Sequence, residues 1–464
     1  MKVTRLEAAK VHGFLPIRIE FFPDLTFLTG LNGSGKTTAL RLLMGLLAPN
    51  LDELIDISFT SASATVSDGA QTTTLQALRT PDELLLTSSD VQEKLSLSTA
   101  ELQLLVEARR HREEAQIPLY DKIRANPVYQ SIWKMSTPMF LGLDRRLYVE
   151  STDRERVHRL RFREMELRGF ADVPTRRVDV AALGDVNELV ENALSRIRTA
   201  QERLDADLRN KILLDSFRYE TTEDAKVPDR RTLEQFRARL AAVEKAAAGL
   251  KLPAGLLESA LADFVERMTN VVDAVEKGSQ EAGQKGISLA KLSSRGQKRG
   301  ESGIDSWNSV LLEWVMNARQ AHRIFKQVEL FEEYVASRLK LHEPIDRFLQ
   351  LTNGFLIETN KTVKVADQGA LRVALKDVAK LRPLMALSSG ERQILVMLAH
   401  LSLNERLAGS GVFIVDEPEL SLHISWQERF VDAIQKANPN VQLIMATHSP
   451  AVILDKLDNC RSLS

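Results

Sequence analysis

The hydrophobic pattern changes period twice along the chain. At the start, Lys2–Ala9, Ile17–Phe22 and Leu25–Thr29 read as short strands, punctuated by Gly13 and Pro23. Leu40, Leu43, Met44 and Leu47 then share one face of a helix after the loop at 30–36. The stretch IDISFTSASATVSDGAQTTTLQALR alternates and turns at Asp68-Gly69, a type I′ hairpin signal. Residues 97–135 read as helical, and Met139–Leu143 as a buried strand.

Helical spacing takes over in the middle. Leu189, Leu194, Ile197, Leu204, Leu208 and Ile212 form one stripe, and Leu233, Phe236, Leu240, Val243 and Leu250 a heptad-like second. Leu257, Leu261, Phe264, Met268, Val272 and Val275 make a third face. A fourth helix is expected from about Ile304 to Leu341, where Pro344 should interrupt it. The polar, glycine-rich stretch EKGSQEAGQKGISLAKLSSRGQKRGESG before it reads as a loop. From FLIETNKTVKVADQGALRVAL onward strand alternation returns, with strong apolar strands at Val412–Val415 and Gln442–Met445. The pattern therefore predicts an α/β head split in sequence, 1–180 and 351–464, around an α-helical insertion at 181–350.

Composition narrows this. At 464 residues, 44% hydrophobic and 27% charged, the chain suits two or three soluble domains. A net charge of −1 advertises no global field for nucleic acid, although local patches can still bind it. The single cysteine, Cys460, rules out an internal disulfide and suits a reducing compartment. MKVTRLEAAKVHG lacks the apolar core of a signal peptide. The longest apolar run, Ile394–Leu403, contains His400 and is about half the ~20 residues that cross a bilayer. A cytoplasmic protein that spans no membrane is expected.

Three stretches carry chemistry. GLNGSGKT, Gly30 to Thr37, fits G-x-x-x-x-G-K-[ST] between an expected strand and an expected helix. In that setting backbone N–H groups and the helix N-terminus cradle phosphates, Lys36 reaches the β- and γ-phosphates and Thr37 ligates Mg²⁺. GVFIVDEPEL ends an apolar strand in Asp416, suited to holding Mg²⁺, and Glu417, suited to orienting or deprotonating water. LIMATHSP places His448 just past another apolar strand. At Leu387–Gln393, LSSGERQ can present hydroxyl and N–H donors at a helix start, a second anion site. A decoy, Leu292-Ser293-Ser294-Arg295-Gly296, lacks the glycine-glutamate order and is assigned to the loop. Taken alone, each stretch has a blander reading as a helix cap, a solvated strand end or a structural histidine. Their order is what gives them weight.

That order resembles the ATP-binding-cassette (ABC) ATPases. MKVTRLEAAKVHGFLPIRIEFFPDLTFLTGLNGSGKTT resembles the opening of soluble RecF-type and SMC-like members, and DEPELSLHISWQ resembles AAA-labelled ABC ATPases of bacterial anti-phage defence and DNA repair systems. The resemblance implies an ABC-type P-loop ATPase head, a mixed sheet with helices, split by an α-helical, partly coiled-coil insertion. It implies ATP and Mg²⁺ as cofactors, with nucleotide contacts from Asn32, Gly33, Ser34, Gly35, Lys36, Thr37 and Thr38 and metal ligation by Thr37 and Asp416. Two heads would pack head to tail as a homodimer, or within a higher homo-oligomer, around sandwiched ATP. Ser388, Ser389 and Gly390 of one would complete the Lys36 site of the other. Glu417 would be the catalytic base and His448 the γ-phosphate sensor. The loop after Met139–Leu143 reads Asp144-Arg145-Arg146 and offers no Q-loop glutamine.

The resemblance supports two functions. The first is an ATPase whose dimerisation controls a separate effector, a nuclease or toxin, in anti-phage defence; retron-, Septu- and PARIS-type ATPases are the analogies. The stretch after His448 leaves no room for a Toprim nuclease, so the effector is expected on another chain. The second is a RecF-like DNA-binding clamp in repair or replication, with Lys285, Lys291, Arg295, Lys298 and Arg299 as candidate phosphate contacts. A transporter ATPase fits less well, because Ser421-Leu422-His423 replaces the transporter D-loop and the insertion has no counterpart there.

Overall fold

The computed structural model describes residues 1–48, 51–69, 71–111, 118–135, 138–141, 147–148, 174–217, 229–249, 256–282, 302–366, 369–408, 411–420 and 422–463. The decoy serines, the basic loop residues at 285–299, Asp144–Arg146 and Ser421 lie outside them. The chain divides into two compact units, Met1–Ala193 with Ile345–Ser464, and Leu194–Pro344.

The first unit is built on two large sheets. One is antiparallel, in the order β2-β1-β4-β5-β6-β7, from β1 Lys2–Val11, β2 Leu15–Glu20, β4 Ser61–Asp68, β5 Gln71–Arg79, β6 Glu83–Ser88 and β7 Leu95–Ser98. The other runs β15-β3-β14-β13-β8-β9, from β3 Leu25–Thr29, β8 Met139–Leu141, β9 Leu147–Tyr148, β13 Gly411–Asp416, β14 Val441–Ala446 and β15 Cys460–Ser462. All its pairings are parallel except β8 with β9. Every residue of β13 and β14 is buried, as befits parallel strands covered on both faces. The expected turn at Asp68-Gly69 closes the β4–β5 hairpin, where Asp68 pairs with Gln71 and Gly69 adopts φ 64°. The strands at 83–98 were not apparent from the pattern, which merged the last of them with the helix that follows.

Helix α1, Lys36–Leu47, is buried along most of its length, and Leu40, Leu42 and Leu43 are fully enclosed. Each such leucine contributes about 1.5–3 kcal/mol. The core around α1 draws on both sheets, from Leu6, Ile17 and Ala64 to Ile414 and Ile444. A polar clamp joins the sheets. The fully buried Gln442 of β14 accepts from the Val3 N–H at 2.7 Å and donates to the Val3 and Phe22 carbonyls at 2.7 Å each. The side-chain amide thus pairs with β1 as a strand would.

Short helices follow: α2 Asp52–Asp56, α3 Thr99–His111, α4 Pro118–Ala125 and α5 Pro127–Lys134. Long helices make the middle of the chain: α6 Pro174–Phe217, α7 Arg230–Gly249, α8 Leu256–Ala282 and α9 Ser302–Leu356. In the second unit α7, α8 and α9 share one apolar core, in which Phe236, Phe264 and Phe325 meet edge to face with centroids 4.8–5.8 Å apart. Arg230 bridges to Asp273 and Glu276, and Arg239 to Glu332, on its rim. α6 runs antiparallel to α9 there, through Gln201 with His342, Asp205 with Tyr334, and Asp215 with Lys326. Pro344 does not end α9, which continues to Leu356. Losing one backbone bond costs about 3 kcal/mol, and buried residues before it (Val328, Val335) and after it (Phe348, Phe355) outweigh that loss. Residues Phe355 and Leu356 are accordingly helical rather than extended.

A small sheet, β10 Lys361–Val365, β11 Leu371–Leu375 and β12 Val378–Arg382, follows α9. Then come α10 Ser389–Leu403, α11 Glu405–Ala408, α12 Ile424–Ala437 and α13 Pro450–Ile453.

Replacing Gln442 by leucine strands the Val3 N–H and two carbonyls in the core. Urea denaturation should show a loss of about 2–4 kcal/mol, well beyond that of an exposed Gln→Leu change.

Candidate functional site

Parallel pairing brings three chemical segments to one sheet edge. Asp416 lies opposite Ala446, and Ala446 opposite Leu28, so β13, β14 and β3 end side by side. Beyond them come Glu417, Thr447-His448 and the glycine loop. In open α/β sheets this carboxyl edge is where ligands bind.

The loop from Gly30 to Gly35 leads straight into α1. Gly30 has φ 147°, and a Cβ there would lie 2.4 Å from the Leu463 carbonyl oxygen and 2.8 Å from Ser34 Oγ. Gly35 caps the helix at φ 89°, with a Cβ position 2.5 Å from Leu15. Neither position takes a larger residue without movement. Asn32 and Gly33 are exposed, while Ser34, Thr37 and Thr38 are half-buried at the helix start. Thr38 Oγ1 lies 3.5 Å from His12 Nε2. The buried Lys36 ammonium donates to the Gly30 and Leu31 carbonyls at 3.1 Å each. Burial lowers its pKa, against the pull of Glu417, Asp416 and Glu419.

Asp416 is 3% exposed, and neither of its carboxylate oxygens completes a hydrogen bond among the described residues. Burial raises its pKa to about 6. The Thr37 hydroxyl lies near enough to favour the charged form, Glu417 and Glu419 disfavour it, and Lys36 favours it. Glu417 sits at φ 48°, a left-handed conformation that costs a non-glycine residue about 1–3 kcal/mol. Its N–H donates to the Ala446 carbonyl at 2.9 Å. His448 is exposed at the end of β14.

Among the described residues, no hydrogen bond joins Ser388, Ser389 or Gly390 to the loop at 30–36. Ser388 is the N-cap of α10 and forms a capping box with Glu391. Glu391 is 1% exposed and accepts from Ser388 N at 2.6 Å, Lys361 Nζ at 2.7 Å and Thr359 Oγ1 at 2.7 Å. Burial raises its pKa, but Lys361, the Ser388 N–H and Thr359 outweigh burial and hold it below the ordinary value. Ser388 and Ser389 remain exposed on the outer side of the turn.

Sequence reasoning missed two carboxylates and an amide. Glu391, three residues after Ser388, was legible as a capping-box acid. Glu419, which accepts from Thr447 and His448, and Gln427, which accepts from the Ser449 hydroxyl, carry no local signal. Their partners are near only because β13 and β14 are neighbours.

The family model described as "AAA domain, putative AbiEii toxin, Type IV TA system" matches residues 325–455, from α9 through the serine-glycine turn and Asp416 to His448. The "Retron Ec83 probable ATPase" of Escherichia coli is 38% identical over 77 residues, covering 15% of this chain and 14% of that protein. The "Retron Vc95 probable ATPase" of Vibrio cholerae serotype O1 biovar El Tor is 34% identical over 76 residues, covering 14% and 15%. The match to the AAA-labelled domain thus takes in the segments that carry the serine-glycine turn, the acid pair and the histidine. The chain's alignments span about a seventh of the length of those relatives. Among solved structures, it is similar to an Smc head domain with an extended coiled coil from Pyrococcus furiosus, bound to the C-terminal domain of ScpA. Identity there is 12%, covering 99% of this chain and 93% of that one, with a TM-score of 0.38. No helix among the described residues is long and apolar enough to cross a membrane.

The raised pKa of Asp416 has a consequence for the stability of the nucleotide-free protein. The folded state holds this proton more tightly than the unfolded chain, whose aspartate titrates near 3.8. The group therefore costs nothing below pH 4, and stability falls as pH rises from about 4 to 6, by about 2–3 kcal/mol in all. Asp416→Asn should match the parent in urea melts at pH 4 and exceed its stability at pH 8.

Proposed function

We propose that this protein binds and hydrolyses MgATP between two of its heads and uses the resulting closure and opening to control a separate effector protein, a nuclease or toxin, in anti-phage defence. The observation that carries this reading is the meeting of Lys36, Asp416, Glu417 and His448 at adjacent strand ends. The residues fit the absent groups. A buried carboxylate with two uncommitted oxygens beside Thr37 suits a hard cation, and the glycine loop opening into α1 suits a polyphosphate.

In this reading Asn32, Gly33, Ser34, Gly35, Lys36 and Thr38 hold the phosphates, while Thr37 and Asp416 hold Mg²⁺. The cation would neutralise charge on the β- and γ-phosphate oxygens. Lys36 exchanges its two carbonyl partners for phosphate oxygens. Glu417, aimed by its left-handed backbone, orients and deprotonates the attacking water, and His448 contacts the γ-phosphate. Ser388, Ser389 and Gly390, which share no hydrogen bond with the loop at 30–36 among the described residues, act on the nucleotide of a second head. Closure then depends on contacts that only the triphosphate makes. The unit at Leu194–Pro344 serves as the partner-capturing arm, on a cytoplasmic protein. The retron ATPases among its relatives support the defence setting.

A second reading, a DNA-binding clamp, is favoured by the small sheet. Lys364 and Arg372 face each other in register on β10 and β11, a like-charge pair that destabilises the isolated sheet. Lys376, Lys380 and Arg382 follow, and all five are exposed. Among the described residues none of these side chains has a hydrogen-bond or ion-pair partner. If the clamp reading holds, replacing Lys364, Arg372 and Lys380 by alanine should weaken duplex DNA binding in fluorescence anisotropy and flatten its salt dependence by roughly 2–3 in slope.

Lys36→Ala should abolish binding of a fluorescent ATP analogue. Glu417→Gln should bind ATP, lose steady-state phosphate release and elute as a dimer only with MgATP. Purified from cells with MgATP, that variant should carry a stoichiometric protein partner; DNA without such a protein would favour the clamp. Phosphate release by Glu417→Gln at the parental rate would remove Glu417 from the chemistry.

A further inference from the structure

The sheet ladder stops where the chemistry begins. The β13–β14 pairing ends at Asp416 and Ala446, and one further backbone bond, Glu417 N–H to the Ala446 carbonyl, closes it. Past that point, among the described residues, the segment carrying His448 has one backbone bond to a strand, Thr447 N–H to the Leu28 carbonyl at 3.3 Å. On the β13 side its anchor is a side chain. Both carboxylate oxygens of Glu419 lie 3.0 Å from Thr447 Oγ1, and Glu419 Oε1 accepts from the His448 N–H at 2.7 Å. Thr447 is fully buried, and its hydroxyl also accepts from the Ser449 N–H at 3.0 Å, so its own proton is committed to Glu419. Gln427 completes the tie, donating to the Glu419 and Leu422 carbonyls at 3.3 and 2.9 Å and accepting from the Ser449 hydroxyl at 2.7 Å.

We infer that Glu419 is a positioning residue. Its carboxylate takes over where the backbone ladder ends and fixes the His448 segment against the turn that carries Glu417, so that base and sensor sit as one block. Hydrogen bonds to a carboxylate are about twice as strong as neutral ones, which suits a contact that must hold a strand end without a strand beside it. In this role the Glu419 carboxylate acts through the His448 segment that it holds. The inference rests on the reading of His448 as the γ-phosphate sensor.

A double-mutant cycle tests it, with ATP turnover by Glu419→Ala, His448→Ala and the double variant of the full chain. Glu419→Ala should lower kcat by about tenfold or more while KM for ATP moves less than about threefold. In the His448→Ala background the same change should cost less than about twofold, because the residue it positions is gone. Glu419→Gln keeps an acceptor for the His448 N–H and should retain most of the turnover. Thr447→Val, which conserves shape and removes only the hydroxyl, should show the same kcat-selective loss, and it keeps the test open should Glu419→Ala fail to fold. An equal cost of Glu419→Ala in both backgrounds, or a loss confined to KM, would overturn the inference while leaving the role of His448 intact. Parental turnover by His448→Ala would instead overturn the sensor reading beneath it.

Discussion

Everything at the candidate site depends on the parallel ladder of β13, β14 and β3. Parallel pairing forces neighbouring strands to end on the same side, and the register sets Asp416, Ala446 and Leu28 level with one another. Asp416 sits at that level, and Glu417, the histidine segment and the glycine loop begin one or two residues past it. A one-residue slip of β13 would turn its side chains to the opposite face and carry Asp416 away from Thr37. Burial of every β13 and β14 side chain resists such a slip, and Gln442 pins β14 to Val3 of the other sheet.

Polar groups inside this frame divide into two kinds. Gln442 and Glu391 are buried and matched by several partners, so their desolvation is offset and they hold elements together. Asp416 is buried without such matching, and Glu417 is held in a left-handed conformation. Unmatched burial and backbone strain lower the stability of the empty protein. At Asp416 and Glu417 the two fall on adjacent residues at one strand end.

The turn Ile357–Thr359, immediately after α9, is wired to both sides of the head. Glu358 accepts from Ser425 Oγ at 3.1 Å, Trp426 Nε1 at 3.2 Å and Arg429 Nη2 at 2.8 Å of α12. Thr359 donates to Glu391, the acid that closes the Ser388 cap. α12 in turn carries Gln427, which holds Ser449 beside the histidine segment. One short turn therefore braces the serine-glycine cap and the helix behind His448.

By itself the sequence determined the elements whose signal is local. GLNGSGKT specifies a strand–loop–helix because its glycines permit the positive φ angles and its lysine begins the helix. The apolar runs at 412–415 and 442–445 specify buried strands, and S-x-x-E at Ser388 specifies a capped helix start. Helical periodicity over 186–217, 233–250 and 257–275 specified long helices, and Pro344 misled because one lost hydrogen bond is small beside the packing on its flanks. Only the tertiary structure decided what those elements meet. Glu419 lies two residues past Glu417 and looks like any solvated acid; the neighbouring strand makes it the acceptor for Thr447 and His448. The pKa of Asp416, the two-sheet clamp of Gln442 and the facing of Lys364 and Arg372 across the small sheet likewise depend on neighbours distant in sequence. Long-range pairing and burial set them, and no local pattern encodes either.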